Sequence, residues 1–256
     1  MIRFEHVTKV FGTKRVLDDV SYEINKGEIF FIVGPSGTGK SVSLKHMIRL
    51  LTPTSGRVWV GDDCVSEATG KELSRIRSRF GYLFQSAALL AWMSVFDYVA
   101  LPLREKTKLS EAEIEKKVMD ALEKVGLEHD GNSYPADLSG GMQKRAGLAR
   151  AIVTEPEIVL YDEPTSGLDP VTSRHIDELI LDLSKRLGIT SVVVTHDLHS
   201  ALSISTRIAM LAGGSIVSIT PPGEFIHSKD PHARAFLDAQ YITRRGAWEK
   251  SEGIHL

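Results

Sequence analysis

Gly34-Pro35-Ser36-Gly37-Thr38-Gly39-Lys40-Ser41 has the composition and spacing of a phosphate cradle. In the pattern Gly-x4-Gly-Lys-Ser, successive backbone N–H groups form an anion nest where a helix begins. Glycines are needed because side chains there would collide with phosphate. Lys40 supplies a mobile point charge for the β- and γ-phosphates, and the Ser41 hydroxyl is a ligand for Mg²⁺. The motif follows a continuous apolar run at 29–33, as a buried strand feeding such a loop requires. A nucleoside triphosphate with Mg²⁺ is the ligand class implied.

Two further elements stand in a definite order. The apolar run 158–161 delivers Asp162 and then Glu163 at its carboxyl end, which is where open α/β sheets bind their ligands. Between the phosphate loop and that strand lies Leu138-Ser139-Gly140-Gly141-Met142, opening a segment of small residues and cations, Gln143-Lys144-Arg145-Ala146-Gly147-Leu148-Ala149-Arg150. Such a helix N-terminus offers unpaired N–H groups and a positive dipole, and Ser139 adds a hydroxyl donor. A phosphate loop alone implies only that a triphosphate binds. A second Gly-rich element ahead of the acidic strand implies a surface for another molecule's γ-phosphate.

Together the three motifs resemble the ATP-binding cassette (ABC) family over about residues 2–220. The resemblance implies an ATPase using ATP and Mg²⁺, with nucleotide held by Gly34, Pro35, Ser36, Gly37, Thr38, Gly39, Lys40, Ser41 and Val42. It implies that Asp162 holds Mg²⁺ through its hydration shell, alongside Ser41, and that Glu163 polarises the attacking water. Gln85, ending the short run Tyr82-Leu83-Phe84, matches the glutamine that reaches Mg²⁺ and the water. His196, in Val192-Val193-Val194-Thr195-His196-Asp197, matches the switch histidine on the γ-phosphate. Ser139, Gly140 and Gly141 match the signature that binds the nucleotide of the opposite subunit. Ser166-Gly167-Leu168-Asp169 matches the loop that crosses the dimer interface. Phe11 takes the place of the aromatic residue that stacks on adenine, with a core position as its alternative. Met142 departs from the Gln of many members. His175 and His199 lack any such placement and read as surface residues.

The elements that must position these groups follow from periodicity. β-type runs are expected near 2–7, 16–24, 29–33, 58–60, 81–84, 158–161, 191–195 and 208–211. From 86 to 153 the pattern turns helical. Ser110-Glu111-Ala112-Glu113 is a capping box, followed by the stripe Ile114, Val118, Leu122 and Val125 and stopped by Gly126. Asp169 and Pro170 cap and open a later helix. Strands and helices in alternation, interrupted by an all-helical block, predict an α/β fold with a mainly parallel sheet. In family terms this is a P-loop, RecA-like core (1–85 and 154–220) with an antiparallel β subdomain and an inserted helical signature subdomain (86–153). An extension at 221–256 follows, in which 233–237 could form a short helix. The tail beyond Tyr241 reads as a frayed end or a docking arm, and an arm from Pro231 onward, with Phe236, Leu237, Tyr241 and Trp248, is expected to dock on the other ATPase subunit or on a regulatory subunit.

Composition narrows the function classes. The 256 residues carry 31 basic against 33 acidic side chains, a net charge of −2, so no global field attracts nucleic acid or an anionic membrane. The single cysteine, Cys64, excludes an intramolecular disulfide framework and reads as a small buried hydrophobe. Charges interrupt the first residues where a secretory leader would need an apolar stretch, and no run approaches the ~20 apolar residues of a membrane span. If the protein powers transport, another chain supplies the pore.

One cassette per chain implies a head-to-tail dimer of two copies, each half-site pairing the phosphate loop of one with the signature of the other. The segment Phe84-Gln85-Ser86-Ala87-Ala88-Leu89-Leu90, with Ser94-Val95-Phe96-Asp97-Tyr98-Val99-Ala100-Leu101-Pro102-Leu103-Arg104-Glu105, resembles the ATPases of the Mla lipid-asymmetry systems. That resemblance implies phospholipid traffic and a place on the cytoplasmic face of a bacterial inner membrane, held there by an integral permease. It further implies an envelope lipid-binding protein of the mammalian-cell-entry (MCE) type and, in some relatives, a STAS-domain regulator. Importers of other small solutes and ABC ATPases that never touch a membrane are the alternatives. The long coiled coils of chromosome-type members and the double cassette of ribosome-type members are not found in this sequence. A plain P-loop kinase would need neither the signature nor a dimer.

Overall fold

The computed structural model describes residues 1–240 and 242. Its centre is a six-stranded sheet. The strands are β3 (Ile29–Val33), β6 (Phe80–Leu83), β7 (Ile158–Asp162), β8 (Thr190–Thr195), β9 (Arg207–Ala212) and β10 (Ser215–Thr220), in the order β10-β9-β3-β8-β7-β6. All neighbours pair in parallel except the edge strand β10, which turns back antiparallel on β9. Every residue of β3, β7 and β8 is buried, and their alternate side chains serve two different cores. Ile29, Phe31 and Val33 join one with Val159, Tyr161 and Val193. Phe30 and Ile32 join the other with Ile158, Leu160, Val192 and Val194.

The second core is closed by a four-stranded antiparallel sheet, β2-β1-β4-β5, built from β1 (Ile2–Phe11), β2 (Lys14–Ile24), β4 (Ser55–Val60) and β5 (Asp63–Cys64). Cys64, in the short edge strand, is half-buried rather than fully buried, and burial pushes its thiol pKa up. The first core is closed by helices. These are α3 (Val95–Lys106), α4 (Glu111–Lys124), α5 (Gly140–Ile152), α6 (Pro170–Leu187) and α7 (Leu198–Ile204), with α8 (Pro222–Phe225) and α9 (Pro231–Ala239) near the end of the described chain. The remaining helices, α1 (Lys40–Met47) and α2 (Gly70–Ser78), flank β4 and β5 in sequence.

Local signals act where expected. At α4, the Ser110 Oγ accepts from Glu113 N (3.4 Å) while the Glu113 carboxylate accepts from Ser110 N (2.8 Å), and Ile114, Val118, Leu122 and Val125 are all buried. Asp169 caps α6 by accepting from Val171 and Thr172 N–H, 3.0 Å each.

Three elements differ from expectation. The segment 86–94 is a turn, because Ala87 and Ala88 take positive φ (57° and 54°), which a right-handed helix excludes. The helix starts at Val95 instead, where the Ser94 Oγ caps Asp97 N at 3.1 Å. The helix α2 had no legible apolar stripe, because Ile76 is its only fully buried residue. The short helix expected at 233–237 extends over α9, and its Ala233 and Leu237 are fully buried with Phe225 in this chain's own core, so Leu237 is not offered to a partner. Tyr241 and Trp248 lie outside the described residues.

Candidate active site

The phosphate loop is aimed by two buried elements. Strand β3 ends at Val33 and α1 begins at Lys40, leaving six residues to turn between them. At Gly34 a Cβ would run into the Leu211 carbonyl of β9, and at Gly39 (φ 104°) it would lie 2.9 Å from Val16 Cγ1. The loop therefore threads between neighbours that only glycine tolerates. The first N–H groups of α1 have no acceptor within their own helix, which leaves them free for a bound anion. Lys40 is only 6% exposed, and its Nζ donates to Gly34 O (2.8 Å) and Pro35 O (3.0 Å). Burial lowers its pKa against the opposing pull of the Glu163 and Asp162 charges.

Strand β7 delivers the acids. Asp162 is buried, and its carboxylate accepts from Ser41 Oγ at 2.7 Å and from Tyr82 OH at 3.2 Å. A hydroxyl and a carboxylate brought side by side across 121 residues of sequence are two hard oxygens, a donor set that fits Mg²⁺. Glu163 follows with φ 51°, a left-handed conformation uncommon for a non-glycine residue, fixed by Glu163 N donating to Val194 O at 2.9 Å. The kink turns its side chain toward β8. There it accepts from His196 Nδ1 (2.8 Å), Thr195 Oγ1 (3.3 Å) and His196 N (3.4 Å), with Lys40 Nζ 3.8 Å away. Opposite a carboxylate, Nδ1 is the nitrogen that carries the proton.

These groups surround one cleft of about 460 Å³, lined by Val16, Ser36, Gly37, Gly39, Lys40, Ser41, Val42, Gln85 and Glu163. The structure thus brings together the phosphate loop, the acidic strand end, Gln85 and, through Glu163, His196. It leaves other expected residues outside. Phe11, at the end of β1, is 43% exposed with the Lys9 ammonium 5.0 Å over its ring, so it is a surface platform and not a core residue. Ser139, Gly140, Gly141 and Asp169 do not line the cleft. Ser139 and Gly140 face solvent at the start of α5, and Asp169 caps α6. Gly141 also has a packing reason to be glycine, because a Cβ there would stand 2.6 Å from Thr172 Cγ2 of α6.

Some participants were not foreseen. Tyr82 and Thr195 read as ordinary strand residues, yet each holds an acid of the site. Lys144 read as one cation among several on α5. It is buried, and its Nζ donates to the Gln85 carbonyl and to the Glu163 carbonyl (3.2 Å), tying the helix to both loops. Burial lowers its pKa, with Glu163 and Asp162 again opposing. No sequence signal separates Lys144 from its neighbour Arg145, because only the packing of α5 decides which of them turns inward. His175 and His199 are exposed, as expected.

Residues 17–166 match the family described as ABC transporter. The chain belongs to that family. This cassette is 42% identical over 251 residues to the probable ribonucleotide transport ATP-binding protein mkl of Mycobacterium leprae (strain TN), a match covering 98% of this chain and 72% of that one. It is 38% identical over 244 residues to the methionine import ATP-binding protein MetN of Photorhabdus laumondii, covering 93% and 71%. Among solved structures, it resembles the dimeric post-hydrolysis state of the ATP-binding cassette MJ0796 bound to ADP and Pi. The TM-score is 0.79 at 34% identity, covering 87% of this chain and 99% of that one.

The fold is therefore the ABC cassette, and the chain is an ABC transporter ATPase subunit using ATP with Mg²⁺. Cassettes of this family dimerise and pair with membrane permeases. Among the described residues of this one, no helix is long and apolar enough to cross a membrane.

Proposed function

We propose that two copies of this chain close head to tail on two ATP molecules and that this closure drives a permease that moves phospholipid between the inner membrane and the cell envelope. The observation that carries the dimer reading is the division of the site. The cleft collects the phosphate loop, Gln85 and Glu163, while the signature glycines open α5 outside it. A second copy would supply the missing wall. In this reading the loop 34–42 holds the phosphates, Phe11 stacks on adenine, and Ser41, Asp162 and Gln85 serve Mg²⁺. Glu163 is the general base, and His196 orients it and touches the γ-phosphate. Ser139, Gly140, Gly141 and Asp169 act across the interface. ATP holds the halves together, and hydrolysis releases them.

The cassette in this reading spans 1–220, with its helical part over 86–153 and an extension from 221. The permease reading is supported by the segment after Gln85. Trp92 there is 75% exposed, beside the partly buried Leu89 and Met93, an apolar surface of the kind that marks a partner. Phe84 and Pro102, on either side of that segment, share the walls of a groove with Ile48, Leu50 and the cations Arg77, Lys106 and Arg150. The phospholipid reading rests on the resemblance of that same segment to the Mla-type ATPases. With it come an MCE-type lipid-binding protein, a STAS-domain regulator and a peripheral place on the cytoplasmic face. Import of a different small solute is the second reading, favoured by the likeness to MetN.

The test is a mild-detergent pull-down of tagged Glu163→Gln protein with ATP and Mg²⁺, followed by mass spectrometry of bound proteins and lipids. Recovery of an MCE-type protein with phospholipid is the expected result. A permease accompanied by a soluble solute-binding protein would overturn the cargo and leave the ATPase reading standing.

A further inference from the structure

The carboxamide of Gln240 lies against the loop that carries His196. Its Nε2 donates to His196 O at 2.6 Å and its Oε1 accepts from Leu198 N at 3.0 Å, so one side chain spans the two peptides on either side of Asp197. Only one orientation of the amide satisfies both partners. Leu198 N–H belongs to the first turn of α7 and has no acceptor in its own helix.

Gln240 is itself well fixed. It caps α9, its N–H bonding back to Leu237 O and Asp238 O, and α9 is anchored by Ala233 and Leu237 in the same core as Leu198, Ala201 and Ile204 of α7. The side chain of Asp197 is engaged elsewhere. It accepts from His199 N (2.9 Å) and Ser200 N (3.2 Å) and pairs with Arg174 of α6 at 2.7 Å. The loop is thus gripped by Glu163 on the inside, by Arg174 from α6, and by Gln240 from the C-terminal helix.

We propose that Gln240 is a positioning residue for His196. From outside the family's motifs it fixes the peptide that sets where the imidazole stands between Glu163 and the γ-phosphate. The inference rests on the reading of His196 as the switch histidine. It ties α9 to the catalytic loop, because both hydrogen bonds are carried by the one side chain at its C-cap.

The test uses the full chain carrying Gln240→Ala and Gln240→Met. The second keeps the side chain's length without its polar groups, which separates lost hydrogen bonds from lost packing. ATP kcat and KM and the thermal midpoint are measured for each, and Gln240→Ala is repeated in a His196→Ala background. Both variants are expected to lose about tenfold in kcat, the effect of roughly one hydrogen bond. KM for ATP is expected to stay within about twofold, because nucleotide is held by the phosphate loop. Without His196, Gln240→Ala is expected to cost nothing further. Wild-type kcat in both variants while His196→Ala is slow, or an undiminished loss in the His196→Ala background, would overturn the inference. Full turnover by His196→Ala would instead overturn the reading of His196 beneath it.

Discussion

Glu163→Gln is the most informative single change in this molecule, because it preserves the shape of the side chain and removes one charge and one base. The carboxylate is 12% exposed, with Lys40 Nζ at 3.8 Å and His196 Nδ1 at 2.8 Å. At an effective dielectric of about 20, unit charges 3.8 Å apart interact by about 4 kcal/mol, so Glu163 competes substantially with phosphate for Lys40. Neutralising it makes Lys40 more available, and ATP binding should be retained or tightened.

Loss of the base removes about 10²- to 10⁴-fold in rate, or about 3–5 kcal/mol of barrier. The assay is single-turnover hydrolysis with Mg²⁺ at saturating ATP, run beside equilibrium ATP binding and size exclusion of the ATP-loaded protein. The expected result is slow turnover with intact binding and accumulation of a dimer. Turnover within about tenfold of wild type would refute Glu163 as the base. Loss of turnover together with loss of ATP binding would show that its service is to hold Lys40.

Gly141→Ala should destabilise the fold by about 1–3 kcal/mol through the 2.6 Å approach of a new Cβ to Thr172, lowering the melting midpoint by about 2–4 °C per kcal/mol. Thr172 cannot rotate away freely, because its Oγ1 donates to Asp169 at 2.5 Å, and an unchanged midpoint would contradict the packing of α5 on α6. Asp177 supplies a pH test. Burial raises its pKa from 3.8 to about 6, with Ser200 and Arg174 pulling the other way. Because the folded value lies above the unfolded one, its contribution is fully present below about pH 4 and is lost as pH rises through about 6. Denaturant titrations should show wild type losing up to about 3 kcal/mol relative to Asp177→Asn between about pH 4 and 7.5, and a constant difference would refute the shift.

Much of the site was legible because its chemistry is local in sequence. A phosphate nest needs consecutive residues, so Gly34 to Ser41 announced both the ligand and the strand and helix around it. Capping works over three residues, so Ser110 with Glu113 and Asp169 with Pro170 marked helix starts that the structure keeps. The buried parallel strands were legible as unbroken apolar runs because both faces of the sheet are covered. The start of α3 at Val95 rather than at 86 was not legible, because the apolar content of the segment says nothing of the positive φ at Ala87 and Ala88.

What the sequence by itself determined is the inventory, namely the phosphate loop, the acidic pair, the signature and the order in which they come. The tertiary structure alone decided which atoms meet. Ser41 reaches Asp162, Tyr82 holds that same acid, and Glu163 turns at a left-handed backbone to lie between Lys40 and His196. It also turned Lys144 rather than Arg145 inward, and it brought Gln240 from the far end of the chain onto the His196 loop. Neither has a local pattern, because each is set by how a whole helix rotates and seats in the core, and that depends on contacts from every part of the chain.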